Sequence, residues 1–308
     1  MKPGFQQAMA GSQEEFQDWI LAGRVAAQAL SFGKEKISAG KSVMEILDNV
    51  EQFILENGAI PAFPAQISVN EVAAHFCPTS AEDYTLKEGD VVKLDVGACV
   101  NGAIGDCAFT VDLSGGKHEK LLEASKKALH EALSLVKPGI LIREISEAIQ
   151  KAIKSYGFSP VRNLSGHTMD LYNIHTDPSI PNVPFDSPHR LMQGQVIAIE
   201  PFATPGDGVV EEKGKPNVFM LKSERNTRHP YAREILKLIK NSNGLPFSRR
   251  LIEKSIGAPK TALGLSVLSR EGIIAEFPPL VEKTNSLVSQ FEHTVIVLEK
   301  PVITTLID

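Results

Sequence analysis

The chain has 308 residues, 43% of them hydrophobic, with 32 Lys and Arg against 37 Asp and Glu for a net charge of −5. That length allows about two domains, or one large domain with an insertion, and the apolar share supplies a sizeable core and excludes general disorder. No apolar run nears the roughly 18 residues of a membrane span, the N-terminus has no apolar stretch of the secretory kind, and Cys77, Cys99 and Cys107 lack the spacing of a disulfide framework or zinc knuckle. A soluble, cytoplasmic protein is expected.

In chain order, apolar periodicity predicts helices over 13–32 and Val43–Glu56, the second carrying Val43, Ile46, Leu47, Val50, Ile54 and Leu55 at 3–4 residue spacing. Prolines and glycines interrupt at 58–64. Strands follow over 91–96 and 104–113, then helices over 117–136 and Ile142–Ser155, with Gly157 just past the second. Further strands are expected over 195–202, 209–210, Val218–Leu221 and 289–298. Between the last two lies a basic segment: residues 222–272 hold 11 Lys and Arg against 4 Asp and Glu, a net +7, which leaves −12 on the remainder. It reads as helices over 229–241, 248–255 and 260–269 followed by a strand over 273–277. We therefore expect an α+β body, residues 1–221 and 273–308, carrying an inserted helical, winged-helix-like subdomain, residues 222–272.

An internal repeat is visible. LKEGDVVKLDVGA at 86–98 and LMQGQVIAIEPFA at 191–203 share four identical and three conservative positions, and place Asp95 and Glu200 at equivalent points. If the match is more than the common look of strand starts, it implies two pseudo-two-fold halves, each delivering a carboxylate.

Asn101-Gly102 is a strong hairpin signal, since both residues tolerate the positive φ of a type I′ turn. Centring the turn there sets Asp95 opposite Ala108 and puts Asp106 diagonal to Asp95 on the same face. Two carboxylates side by side among apolar neighbours repel and raise each other's pKa, and a bound cation removes the conflict; a solvated hairpin face is the plainer alternative. Glu200 and Glu292 also stand in strands otherwise fit for burial, where an isolated carboxylate is costly. The repeat would nominate Glu211 as the partner of Asp106, but Glu211-Glu212-Lys213-Gly214 reads as an exposed turn, which leaves Glu292 as the better candidate. His167, His175 and His75 complete the set, although any one of them alone would more often be structural. Four carboxylates and an imidazole suit a pair of divalent cations, which acidify a water and clamp a tetrahedral intermediate.

The segments FPAQISVNEVAAHF, KLDVGA, GDCAFTV, SGHTMDLYNIH, AIEPFAT and SQFEHTVIV occur in the order and spacing of methionine aminopeptidases. Over about residues 13–305 the chain resembles the type II, archaeal-like branch of that family. The resemblance implies the pita-bread fold, a metallo-exopeptidase of the cytoplasm, and removal of the initiator methionine from nascent chains, favouring a small second residue. It implies that Asp95 and Asp106 bind one metal, that Asp106 and Glu292 bridge to the second, and that His167 and Glu200 complete the ligand set of that second metal. Glu200 would take a proton from the attacking water, His75 and His175 would touch substrate, and Phe63, Ile174, Phe202 and Phe277 would line the methionine pocket. Simple core packing is the other reading of those four. The metal pair could be Co, Mn, Fe, Zn or Ni.

Two positions depart from the family pattern: Thr176-Asp177-Pro178 where Ala-Gly is usual, and Phe277 where tyrosine is common. A prolidase or Xaa-Pro aminopeptidase of the same fold is the alternative enzyme, and a non-enzymatic relative of the fold is the alternative class. A monomer without membrane contact is expected. The charge of the insert fits an ordinary solvated face; it also allows weak docking to ribosomal RNA through Arg249, Arg250 and Lys254.

Overall fold

The computed structural model describes residues 16–79 and 81–306; the segment read for a secretory signal and the first residues of the expected 13–32 helix lie outside them. Helix α1 spans Gln17–Lys36, four residues beyond its expected end. Gly33 is helical because a side chain there would meet Leu94 at 2.5 Å and Val50 at 2.8 Å; the glycine serves close packing, not termination. Helix α2 spans Val43–Glu56, as expected, and Ser42 caps it by accepting the Glu45 N–H at 3.0 Å. Its stripe Val43, Ile46, Leu47, Val50 and Ile54 is buried, each side chain contributing roughly 1.5–3 kcal/mol.

Both helices cover a four-stranded sheet centred on Val91–Val100, which pairs with Ala103–Asp112 on one edge and with Ile60–Pro61 and Gln66–Val69 on the other. Helices α3, Glu119–Leu135, and α4, Ile142–Ser155, cover a five-stranded sheet in the order Val302–Ile303, His293–Ile296, Val196–Ile199, Ser165–Asp170, Asn173–Pro181. A third apolar cluster, including Trp19, Phe63, Ile104, Met169 and Ile296, joins the two halves.

The halves are built alike down to single backbone bonds. In the first, Gly40 N–H donates to Leu86 O at 2.7 Å and Gly89 N–H to Leu113 O at 2.9 Å. In the second, Gly139 N–H donates to Leu191 O at 2.7 Å and Gly194 N–H to Val297 O at 2.8 Å. The repeat therefore extends beyond the thirteen matched residues, to the helix starts on one side and the strand partners on the other. The first half makes its pair with a tight hairpin, Asp95 opposite Ala108. The second pairs Val196–Ile199 with His293–Ile296, and residues 200–292, 93 of them, intervene.

Much of that intervening chain is the basic segment. Helices α5, Pro230–Ile239, α6, Arg249–Ile256, and α7, Ala258–Arg270, pack with the strands Val218–Leu221, Phe247–Ser248 and Ile274–Phe277 around a core of their own. Val218–Leu221 pairs residue for residue with Ile274–Phe277, which closes the base of the insert and carries Phe277 toward the body. Of the exposed basic face expected at Arg249, Arg250 and Lys254, Arg250 is a correction, since it is buried; Lys254 is exposed and pairs with Asp48 at 2.8 Å, and the half-buried Arg249 pairs with Glu253 of its own helix at 2.7 Å. Arg250 Nε lies 3.2 Å from Asp48, its Nη2 meets Glu51, and its Nη1 donates to Cys77 Sγ at 2.9 Å. The two carboxylate contacts are ion pairs rather than aligned hydrogen bonds, since neither atom meets the geometry of one. Arg250 and Lys254 thus meet acids of the body, Asp48 and Glu51. Among the described residues, no helix is long and apolar enough to cross a membrane.

Candidate functional site

The hairpin turn forms at Asn101 and Gly102, with φ of 50° and 96°, and its register sets Asp95 opposite Ala108 and Asp106 opposite Gly97. Asp95 and Asp106 thus project from one face of adjacent strands. The equivalent acid of the second half, Glu200, follows directly after the Val196–Ile199 strand. The expected 195–202 strand breaks there, because Pro201 has no N–H to continue the ladder. The expected 289–298 strand breaks too, at Phe291-Glu292, and Glu292 turns its N–H from its own half to Ala108 O at 2.9 Å. Both glutamates stand where a ladder is interrupted between the halves.

A reciprocal clasp holds that junction. Thr110 Oγ1 donates to Gln290 O at 2.7 Å and accepts the Gln290 N–H at 2.8 Å. Thr294 Oγ1 donates to Asp106 O and accepts the Asp106 N–H, both at 2.8 Å. Since Gly97 faces Asp106 and Phe202 faces Gln290, the true counterpart of Asp106 is Gln290. Glu211 is exposed on a different sheet, as its sequence context suggested. Gln290 contributes by its amide, which lies 3.3 Å from both Glu200 and Glu292. Sequence reasoning missed Gln290 and the two threonines; the one trace was the shared threonine of GDCAFT and SQFEHT.

His167, on the Ser165–Asp170 strand beside Ala198, brings Nε2 to 3.6 Å from Asp106 and 4.0 Å from Glu200. Ligand atoms of Asp106, His167 and Glu292 all lie within 4.8 Å of one another. Burial, reinforced by His175, drives the His167 pKa down to about 3, so the ring is neutral and these contacts are not ion pairs. Burial pushes Asp95 up to about 7. Asp106, Glu200 and Glu292 are driven well above the carboxylate range, by burial first and by one another second. Asp95 Oδ1 and Asp106 Oδ1 are buried with no partner. Crowded acids with unpaired oxygens, beside a neutral imidazole, fit a divalent cation by the chemistry of the donor set.

These groups floor a cavity of about 390 Å³ whose lining includes all eleven residues expected at the site. Phe63, Ile174 and Phe202 are buried and Phe277 half-buried along it. Gly97 makes room for Phe63, whose ring would lie 2.2 Å from any Cβ at that position. His75 adopts a φ of 65°, rare outside glycine, and its N–H donates to Gln66 Oε1 at 2.8 Å. Its ring sits edge-on to Phe277 with centroids 5.7 Å apart, and burial, then His175, lowers its pKa to about 4. The His175 ring packs edge-on against His167 at 4.4 Å, its own pKa also lowered by burial. The site thus combines a charge cluster, two neutral imidazoles on its walls and an apolar pocket.

The profile of metallopeptidase family M24 matches residues 20–298. The chain is 46% identical over 279 residues to the methionine aminopeptidase of Archaeoglobus fulgidus, covering 90% of this chain and 94% of that one. It is 42% identical to the methionine aminopeptidase of Thermococcus onnurineus, covering 92% and 97%. Among solved structures, methionine aminopeptidase from Thermotoga maritima matches with a TM-score of 0.70 at 24% identity, over 96% of this chain and 98% of that one. Prolidase from Pyrococcus furiosus matches at 0.59 and 22% identity, over 96% of this chain and 65% of that one.

Proposed function

The chain belongs to the metallopeptidase family M24, and from that premise we propose that it removes the N-terminal methionine of polypeptide chains by hydrolysing their first peptide bond. The relatives it matches over nearly their full length are methionine aminopeptidases, and it shares their pita-bread fold. The observation that carries the reading is the union of a crowded acid cluster and an apolar pocket in one cavity. Nascent chains with a small second residue are its substrates.

Asp95, Asp106, His167, Glu200 and Glu292 would hold two divalent cations, which would supply an acidified water and Lewis-acid polarisation of the scissile carbonyl. Glu200, beside Asp106 and His167, accepts the proton of the attacking water and delivers it to the leaving amine. His175 is neutral, so it offers an N–H to the carbonyl oxygen as charge develops. His75, held in its strained backbone by Gln66, faces the peptide from the opposite wall. Phe63, Ile174, Phe202 and Phe277 receive the methionine side chain, whose flexible thioether suits an irregular apolar wall.

Protein supplied with Mn²⁺ or Co²⁺ and offered Met-Ala-Ser beside Ala-Pro is expected to release methionine from the first alone. Cleavage of Ala-Pro instead would move the chain to the proline-specific enzymes of the same fold. Turnover of neither, with metal bound, would overturn the reaction.

Metal loading carries a proton signature. At pH 6.5 Asp95, with a pKa of about 7, is largely protonated, and burial raises Asp106, Glu200 and Glu292 well above the ordinary carboxylate range. A cation takes only the ionised forms. Loading at this pH is expected to release more than one proton per chain, and apparent affinity is expected to rise with pH, about tenfold per unit for each proton released. Calorimetric titration in two buffers of different ionisation enthalpy reads the number; a value of zero would contradict this electrostatic account.

A further inference from the structure

One charged group in the cavity is left over by the reaction. The Asn173–Pro181 strand is the edge of its sheet. The strand pairs irregularly with Ser165–Asp170, its register shifting on both sides of Thr168, and His175, Asp177 and Ser179 all line the cavity. Thr176 pins the strand between them, its hydroxyl 2.7 Å from Thr168 Oγ1. Asp177 is exposed and has no ion pair among the described residues. No lysine or arginine lines the cavity among the described residues, so nothing there offsets this carboxylate. The deeper acids are neutralised by protons or by metal. Asp177 therefore sets the potential that an arriving peptide meets at the mouth.

Its distance along the chain says which part of the peptide it meets. Two residues of strand separate it from His175, about 6.6 Å, and an extended peptide covers that length in about two residues. With His175 at the scissile carbonyl, two residues onward is the third residue of the substrate. We infer that Asp177 is a specificity residue, selecting substrates whose third residue is cationic over those whose third residue is acidic. The inference rests on the reaction proposed above for where the scissile bond lies.

The test uses the full chain loaded with Mn²⁺ and the peptides Met-Ala-Lys-Ser, Met-Ala-Gln-Ser and Met-Ala-Glu-Ser. A rim charge pair is worth about threefold, so kcat/KM is expected to fall about threefold from Lys to Gln and again from Gln to Glu. The difference should reside in KM and shrink at 0.5 M salt, where screening is nearly complete. Asp177→Asn is expected to bring the Lys-to-Glu ratio close to one. A wild-type ratio under twofold, or one that Asp177→Asn leaves in place, would overturn the inference, as would an equal loss on all three peptides. If no peptide releases methionine, the reaction is wrong, and calorimetric binding of the Lys and Glu peptides decides the subsite on its own. Tighter Lys binding that Asp177→Asn removes would sustain it, and equal binding would reject it.

Discussion

Asp106→Ala is expected to abolish methionine release and to lower bound metal below two ions per chain. Asp106 stands at the centre of the cluster, within 4.8 Å of ligand atoms from both His167 and Glu292, so its loss opens the donor set from the middle. Transition-state charge stabilisation by a bound cation amounts to several kcal/mol, so turnover of Met-Ala-Ser should fall at least about 1000-fold. The near-isosteric Asp106→Asn should act oppositely on the metal-free fold. There Asp106 is a buried acid raised by burial and by Asp95, and removing it relieves both penalties. Metal-free Asp106→Asn should therefore melt above metal-free wild type, although it binds metal less well. Metal content by mass spectrometry, turnover and calorimetry check the three parts; wild-type turnover in the variant would reject the assignment of this cluster.

Arg250→Ala is expected to cost about 3–5 kcal/mol, the range for breaking a buried ion pair from one side, or a melting point lower by about 2 °C per kcal/mol for a chain of this size. The buried guanidinium ties helix α6 of the insert to Asp48 and Glu51 of helix α2 and to Cys77 in the segment after His75, beside the exposed Lys254–Asp48 pair. Without it, Asp48 and Glu51 repel at a half-buried seam. The Cys77 thiol, pushed up to about 12 chiefly by burial, stays neutral and cannot replace the charge. Glu51 also accepts the Ala65 N–H at 3.0 Å, close to Phe63 and Gln66, so KM for methionyl peptides should rise as well. A melting point within 2 °C of wild type would show that apolar packing alone holds the insert.

The sequence made the site more legible than its setting. Asp95 and Asp106 could be placed because a two-residue turn fixes every pair in the hairpin. Glu292 was reached only by setting aside Glu211, since its partners come from the other half and no local pattern records them. Gln290 and the threonine clasp were hidden for the same reason. Helix α2 was legible from its apolar stripe, whereas the end of α1 depends on what Gly33 packs against. The lysine and arginine count of the insert was correct, but charge counting does not say which cations face an acidic neighbour.

The two halves close their strand pairs at unequal expense of chain entropy. The first pair joins across two residues at Asn101 and Gly102, while the second joins Ile199 to His293. By the logarithmic loop law the longer closure costs about 3 kcal/mol more when the intervening chain is unfolded. Prior folding of the insert, whose base is drawn together by Val218–Leu221 and Ile274–Phe277, shortens the loop that must close. Glu200 and Glu292 flank this second pair, so the acid cluster assembles only after it forms. The first hairpin already sets Asp95 beside Asp106, so the second closure is the step that brings Glu200 and Glu292 against them.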